Sequence, residues 1–352
     1  MLKLRRGVVL STDPLTVEVE GSERPAWADR SLVGEIERGD EVIVNTEALD
    51  LELGSGGFDL VHANLTRGLS GGGGRGGAHV MKLNYTSLQH PVEPVERPVE
   101  AAPATRPPAL VLPLHGHLAP AAWAAAQARP GLSVGYVQTA GGALPGAISR
   151  DVGELRSLSL LAGHITAAPA YGGEREAISL VGALDAAAGL GWEAIVAGPG
   201  PGILGSATHF GHGGMAALDT AHAALALRSR TLLSPRLSAA DPRPRHRGLS
   251  HHTSAVLELL LAPAQVPVPE VEATEWPTPE GSSGAGPEPG MLDELREACG
   301  DRHDLVVQPV DLEGYASSGL PARTMGRGLS DDPLFFAAAL ASGRALAAAK
   351  PE

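Results

Sequence analysis

From residue 109 onward, short apolar runs alternate with helical stretches, and this alternation restricts the fold more than any other feature of the chain. The runs are Ala109–Leu114, Leu132–Gln138, Leu160–Thr166, Ala194–Ala197, Thr231–Pro235, Val266–Val268 and Leu305–Val310. Helical patterns fall between and after them, at 119–128, 144–157, 174–187, 213–228, 251–261, 291–299 and 332–348. Strands separated by helices of this length call for βαβ units and a mostly parallel, doubly wound sheet, an α/β fold. With 43 % hydrophobic residues the chain has the material for a sizeable core.

The first 87 residues read differently. Short β-rich runs at Arg6–Leu10, Leu15–Val19, Glu41–Asn45 and Asp59–His62 are separated by turns such as Gly21-Ser22 and Gly39-Asp40. They predict a small N-terminal β-barrel of SH3 or OB type. The glycine-rich stretch Gly68–Gly77 reads as a loop. Residues 88–108 are proline-rich without apolar periodicity and read as an extended linker. The α/β domain then runs over 109–352, and the acidic Pro/Ser/Gly-rich segment 269–289 reads as an insertion outside its core.

Composition removes several classes of function. The formal net charge of −13 disfavours binding to nucleic acid or anionic membranes. Aromatic residues are 3 % of the chain, too few for base-stacking platforms. The lone Cys299 excludes an intramolecular disulfide and any cysteine-built metal site. No run of apolar residues is long enough to span a bilayer, and the N-terminal apolar run is too short for a signal peptide, so a cytoplasmic location is expected. The abundance of Gly, Ala and Arg beside three lysines fits a GC-rich bacterial genome.

In an open parallel sheet, ligands bind beyond the carboxyl ends of the strands. Five of the loops there draw notice. His115-Gly116-His117 follows the first strand and reads as a helix-entry turn, with metal ligation as the sharper alternative. In Tyr171–Glu176, Glu174 sits beside two glycines and could project into a cleft as a carboxylate partner, although first-turn acidity alone suits a helix dipole. The loop 198–214 holds Gly200, Gly202 and Gly205 in a GxGxxG pattern, with Ser206 and Thr208 beyond. It lies outside the first βα unit and lacks the later acidic residue, so NAD is disfavoured. A backbone nest for phosphate or carboxylate remains, against a loop whose glycines serve packing.

Residues 241–253, DPRPRHRGLSHHT, are the most informative stretch. Arg243, Arg245 and Arg247 share a face if the backbone is extended. Ser250 is a good N-cap, which places His251 and His252 in a helix first turn where the dipole favours neutral imidazoles. Neutral imidazole is what a metal ligand or a general base requires, and Asp241 is a candidate carboxylate partner. Asp311, Glu313 and Arg327 are weaker additions from the last strand's loops, and Asp331-Asp332 reads as a helix cap.

The motifs GDEVIVNTEALDLELGSGG (39–57), GGEREA (172–177), GPGILGSAT (200–208), DPRPRHRGLSHHT (241–253) and TMGRGLSDDP (324–333) resemble those of an uncharacterised bacterial family, the domain-of-unknown-function family 3866. The resemblance implies the domain order and carries no catalytic role. Two functions follow from the residues. One is an enzyme acting on a small anionic, phosphorylated or similar molecule by His/carboxylate acid–base or divalent-metal chemistry. The other is a non-catalytic ligand-sensing or scaffolding protein whose barrel binds a partner.

Overall fold

The computed structural model describes residues 1–52, 56–70, 77–96, 105–206, 208–270, 276, 290 and 292–351. The run at 71–76, residues 97–104 of the linker and nearly all of the 269–289 segment lie outside the described residues. The chain divides into two compact units, Met1–Glu93 and Pro94–Glu352.

The first unit is built from β1 (Leu4–Thr12), β2 (Leu15–Val19), β3 (Ser22–Trp27), α1 (Arg30–Val33), β4 (Glu41–Asn45), α2 (Glu47–Asp50) and β5 (Asp59–Asn64). The strands close a barrel in the order β1-β2-β3-β5-β4. Its neighbours are antiparallel except β3 and β5, which pair parallel. That order is the Greek key of an OB barrel, which settles the choice left open between SH3 and OB. Alternate residues fill the barrel: Val17 and Val19, Val42 and Val44, then Val61. β3 was not legible in the sequence because SERPAW has no apolar alternation; its place is set by the strands on either side. A hairpin of β6 (Val80–Lys82) and β7 (His90–Val92) completes the unit, so the proline-rich segment begins with a paired strand.

The second unit follows the predicted alternation. Its elements are β8 (Ala109–Val111), α3 (Leu118–Ala128), β9 (Val134–Thr139), α4 (Arg150–Ser157), β10 (Gly163–Ala167), β11 (Arg175–Ala177), α5 (Leu180–Gly189), β12 (Ala194–Pro199), α6 (Ala216–Ala226) and β13 (Thr231–Leu233). Then come β14 (Leu237–Ser238), β15 (Gly248–Leu249), α7 (His251–Leu259), β16 (Gln265–Pro269), α8 (Asp293–Cys299), β17 (Asp304–Gln308), α9 (Leu312–Ala316), β18 (Arg323–Thr324), β19 (Arg327–Gly328) and α10 (Pro333–Ala348). Eight strands form one sheet in the order β11-β10-β9-β12-β8-β13-β16-β17, and every pairing in it is parallel.

The sheet is covered on both faces. Leu110, Tyr136, Val196 and Leu232 pack with α3, α4 and α10, whereas Ala109, Val137, Ile195 and Ala197 point to the other face and pack with α5 and α6. A strand buried on both sides must read as a continuous apolar run, which is why these strands were visible in the sequence. Burial of Phe335 and Phe336 on α10 stabilises the fold by about 1.5–3 kcal/mol each. α10 crosses α3 so closely that a Cβ on Gly343 would lie 2.0 Å from the Ala121 carbonyl oxygen. The small residues of these helices make that approach possible.

The predicted helix over 174–187 begins instead with β11. Residues 175–177 extend the sheet at its edge beside β10, and α5 starts only behind the Ser179 cap, whose hydroxyl accepts from Gly182 N. The chain reaches this edge from Pro94–Glu96, where Val95 N donates to the Glu176 carbonyl and the Glu96 carboxylate accepts from Ile178 N and Ser179 N. No helix among the described residues is long and apolar enough to cross a membrane.

Candidate functional site

β8 and β12 are neighbours, yet the chain leaves β8 through α3 toward β9 and leaves β12 through α6 toward β13, on the opposite side. Beyond their carboxyl ends the two connections diverge to opposite faces, the position at which doubly wound sheets bind ligands. His115 and His117 enter it from β8 in a short 3-10 turn. Both are engaged. His115 lies between the Pro199 carbonyl (Nδ1, 3.2 Å) and the Ser149 hydroxyl (Nε2, 2.7 Å), and His117 Nδ1 meets the Ser234 hydroxyl at 2.9 Å. Burial pushes His117 down to about 3. These two rings fix the loops, as the helix-entry reading holds.

The loop after β12 packs backbone against backbone. A Cβ on Gly213 would sit 1.8 Å from the Gly141 carbonyl oxygen, and one on Gly200 would sit 2.3 Å from that of Ala143. The glycines at 141 and 213 are thus required by close approach of two loops. Gly202 has φ +79 with open space beside it, a turn position, and Gly205 bridges to His212. Ser206 and Thr208, expected to offer hydroxyls to an anion, bond to each other at 2.9 Å, while Ser206 Oγ donates to the Gly211 carbonyl and Thr208 Oγ accepts from Gly211 N. Their hydroxyls close a turn whose product is the placement of His212.

The segment after β13 supplies the rest. Ser250 caps α7 and accepts from His252 N, so His251 and His252 occupy the first turn as the sequence indicated. They meet His212 from the neighbouring loop. The rings of His212 and His252 stack at 3.9 Å with 12° between planes, and His251 stands edge-on to both, at 5.0 and 4.5 Å. One ligand atom from each of these three histidines lies within 4.8 Å of the others. His246 completes the group, 4.8 Å from His251 and 4.9 Å from His252, with Nδ1 against the Ser250 hydroxyl at 2.7 Å.

Hydrogen bonds fix the tautomers. His212 Nε2 lies 3.0 Å from the His209 carbonyl and His251 Nδ1 lies 3.2 Å from the Arg245 carbonyl; a carbonyl only accepts, so each of these nitrogens carries the proton. The opposite nitrogen of each ring keeps its lone pair, and His212 Nδ1 is buried with no partner among the described residues. Burial, then neighbouring positive groups, holds all of these rings neutral: His252 is pushed down to about 2 and His246 to about 3, and His212 and His251 shift in the same direction.

A cluster of guanidinium groups adjoins the histidines. Arg236 is buried, with Nη1 3.3 Å from His252 Nδ1 and Nη2 3.3 Å from Asp241 Oδ2. Asp241, fully buried, also takes Arg243 at 2.9 Å and Arg327 at 3.3 Å. These bonds hold its carboxyl well below the usual range despite burial. Asp332 stands at the N-cap of α10 but makes no cap bond; it accepts from Ser238 Oγ, Ala239 N and Arg327 Nε instead.

The structure gathers His251, His252, Asp241, Arg243 and Arg327 and leaves Glu174, Arg245, Arg247 and Asp311 apart. Pro244–His246 is a 3-10 turn, so Arg243, Arg245 and Arg247 do not share an extended face; Arg245 and Arg247 are exposed. Glu174 lies beside the β10–β11 edge, paired with Arg156. Asp311 caps α9 through Gly314 N at 2.7 Å. His212, His246 and Arg236 were not singled out. His212 had a local signal in Gly211-His212-Gly213-Gly214, but Arg236 is a lone arginine after a strand, and only the fold brings it to the cluster.

The chain matches the model of the family described as Protein of unknown function (DUF3866) over residues 25–343, and it belongs to that family. No match was found among curated proteins or among solved structures.

Proposed function

We propose that this family member is an enzyme that acts on a small anionic molecule with the help of a divalent transition-metal ion held by His212, His251 and His252. The observation that carries the reading is the convergence of three neutral imidazoles, two of them with free lone pairs set by carbonyl partners, at the switch point of the sheet. An all-nitrogen donor set suits zinc and its neighbours and does not suit magnesium or calcium. The orphaned, buried His212 Nδ1 is accounted for by such an ion. His252 accepts from Arg236 on Nδ1, so an ion bound at that atom replaces a guanidinium donor. Three protein ligands leave a position open for substrate, and the ion supplies Lewis acidity there. His246, neutral and 4.8 Å from His251, packs against the ligand rings and is itself held by the Ser250 hydroxyl at 2.7 Å.

The test is turnover. The zinc-loaded chain, offered a panel of small phosphate and carboxylate esters, should hydrolyse a subset. That activity should vanish with a chelator and in His251→Ala. Activity that survives chelation contradicts the reading, and metal-dependent ligand binding without turnover assigns the site to sensing instead.

A further inference from the structure

We propose that Arg236, Arg243 and Arg327 form the seat of a tetrahedral oxydianion, a phosphoryl or similar group, directly beside the three-histidine site. This names the substrate class of the metal reading and rests on it for the neighbouring cation. The seat itself is built from separate residues.

Three guanidiniums converge on two buried carboxylates, Asp241 and Asp332, and leave one positive charge uncompensated within the network. The histidines add none, because each must offer an uncharged ring nitrogen to the ion. A divalent ion raises the local excess to three positive charges. A monoanion leaves two of them and a dianion leaves one, so the site favours the dianion. In a chain of net charge −13 this is a local reversal of sign, and such a site concentrates an anionic ligand.

The network also holds unused donors. Arg236 is 3 % exposed and its Nε has no hydrogen-bond partner among the described residues. A buried donor left in this state costs free energy that a ligand acceptor would recover. Its Nη1 is spent on His252 Nδ1 at 3.3 Å, a long contact that a cation on that ring nitrogen displaces. Loading the ion therefore releases a second donor of the same guanidinium. The Arg243 side chain is 46 % exposed while its Nη2 reaches Asp241 at 2.9 Å, and Arg327 is 15 % exposed, so the seat has an open face and a buried base. Met325 lies over it, with Sδ 3.3 Å from Arg243 Nη2 and 3.5 Å from Arg236 Nη2. Thioether sulfur is a weak acceptor, and an oxyanion would supplant it at both donors. Cation and anion then reinforce each other, and by linkage each must tighten the other by the same factor.

Calorimetric titration of the full chain with zinc, and of the zinc-loaded chain with inorganic sulfate or acetate at constant ionic strength, tests this. Sulfate serves as the dianion because it keeps zinc in solution. Sulfate should bind at least about tenfold tighter than acetate and should weaken about tenfold in Arg243→Gln, with zinc affinity in the absence of sulfate not reduced. Arg243→Lys, which keeps the charge but loses the fork, should fall between. Sulfate affinity equal to that of acetate, or unmoved by Arg243→Gln, overturns the seat while leaving the metal reading intact. If the chain takes up no zinc, the metal reading fails, and the same Arg243→Gln comparison with sulfate alone decides the seat.

Discussion

A buried imidazole is tolerated while it is neutral and becomes destabilising once it must carry a proton. His117, fully buried against Phe335 and pushed down to about 3 by burial and then by the Arg236 charge, shows that effect at a ring that is not one of the proposed ligands. Its folded pKa lies below the unfolded value of about 6.5, so the unfolded chain binds the proton first. Its contribution is complete above pH 6.5 and is lost as pH falls toward 3, at up to about 1.4 kcal/mol per pH unit. Urea midpoints measured between pH 7 and pH 5 should fall, and the fall should be shallower in His117→Asn. An identical slope in the variant would show that the ring titrates freely in the fold. Asp241 poses the converse case. Asp241→Asn removes the negative charge shared by three guanidiniums and should cost about 3–5 kcal/mol by denaturant unfolding, as loss of one partner of a buried ion pair does. A cost below about 1 kcal/mol would mean that the arginines find water instead.

Loops decide the site, and they were the part least legible in the sequence. The central strands and most helices could be read because burial on two faces leaves an unbroken apolar run and helices repeat every 3.6 residues. Ser250 and the first turn of α7 were equally readable, since capping is a local matter. β3 and β11 were missed because their sequences are polar and their strand character comes from neighbours. The glycines at 200 and 202 suggest a phosphate nest, whereas Gly200 is pressed against the Ala143 carbonyl and the exposed hydroxyls at 206 and 208 are bonded to each other and to Gly211. A local pattern cannot tell backbone approach by a ligand from approach by another loop; both select glycine. Gly213→Ala separates them. Its Cβ would meet the Gly141 backbone at 1.8 Å, so the 141 and 213 loops must move apart and His212 with them. The variant should lose stability by about 1–3 kcal/mol and bind zinc more weakly, whereas Gly202→Ala should lose only about 1 kcal/mol for its left-handed backbone and keep zinc affinity. Equal effects at the two positions would contradict the packing account. The pairing of His212 with His252, and the arrival of Arg236, depend on strand order and could not be read before the sheet was known.

At the scale of the molecule, every residue of the histidine and arginine clusters belongs to the second unit, Pro94–Glu352. A chain trimmed to 94–352 should therefore unfold cooperatively and keep the zinc affinity of the full chain within about threefold, a difference of under 1 kcal/mol. Loss of cooperative unfolding would show that the barrel is needed to complete the fold. The barrel, with its OB order, then stands as a separate module whose role the histidine site does not explain. His212, His251 and His252 are placed to act together on one ion. Zinc bound per chain, measured by elemental analysis after dialysis and by calorimetric titration, tests this most directly. The account predicts one ion per chain and an affinity that falls by at least about a hundredfold in His212→Ala and in His251→Ala, a loss of about 2.7 kcal/mol or more. A chain that retains no zinc, or one whose zinc survives both substitutions, would contradict it.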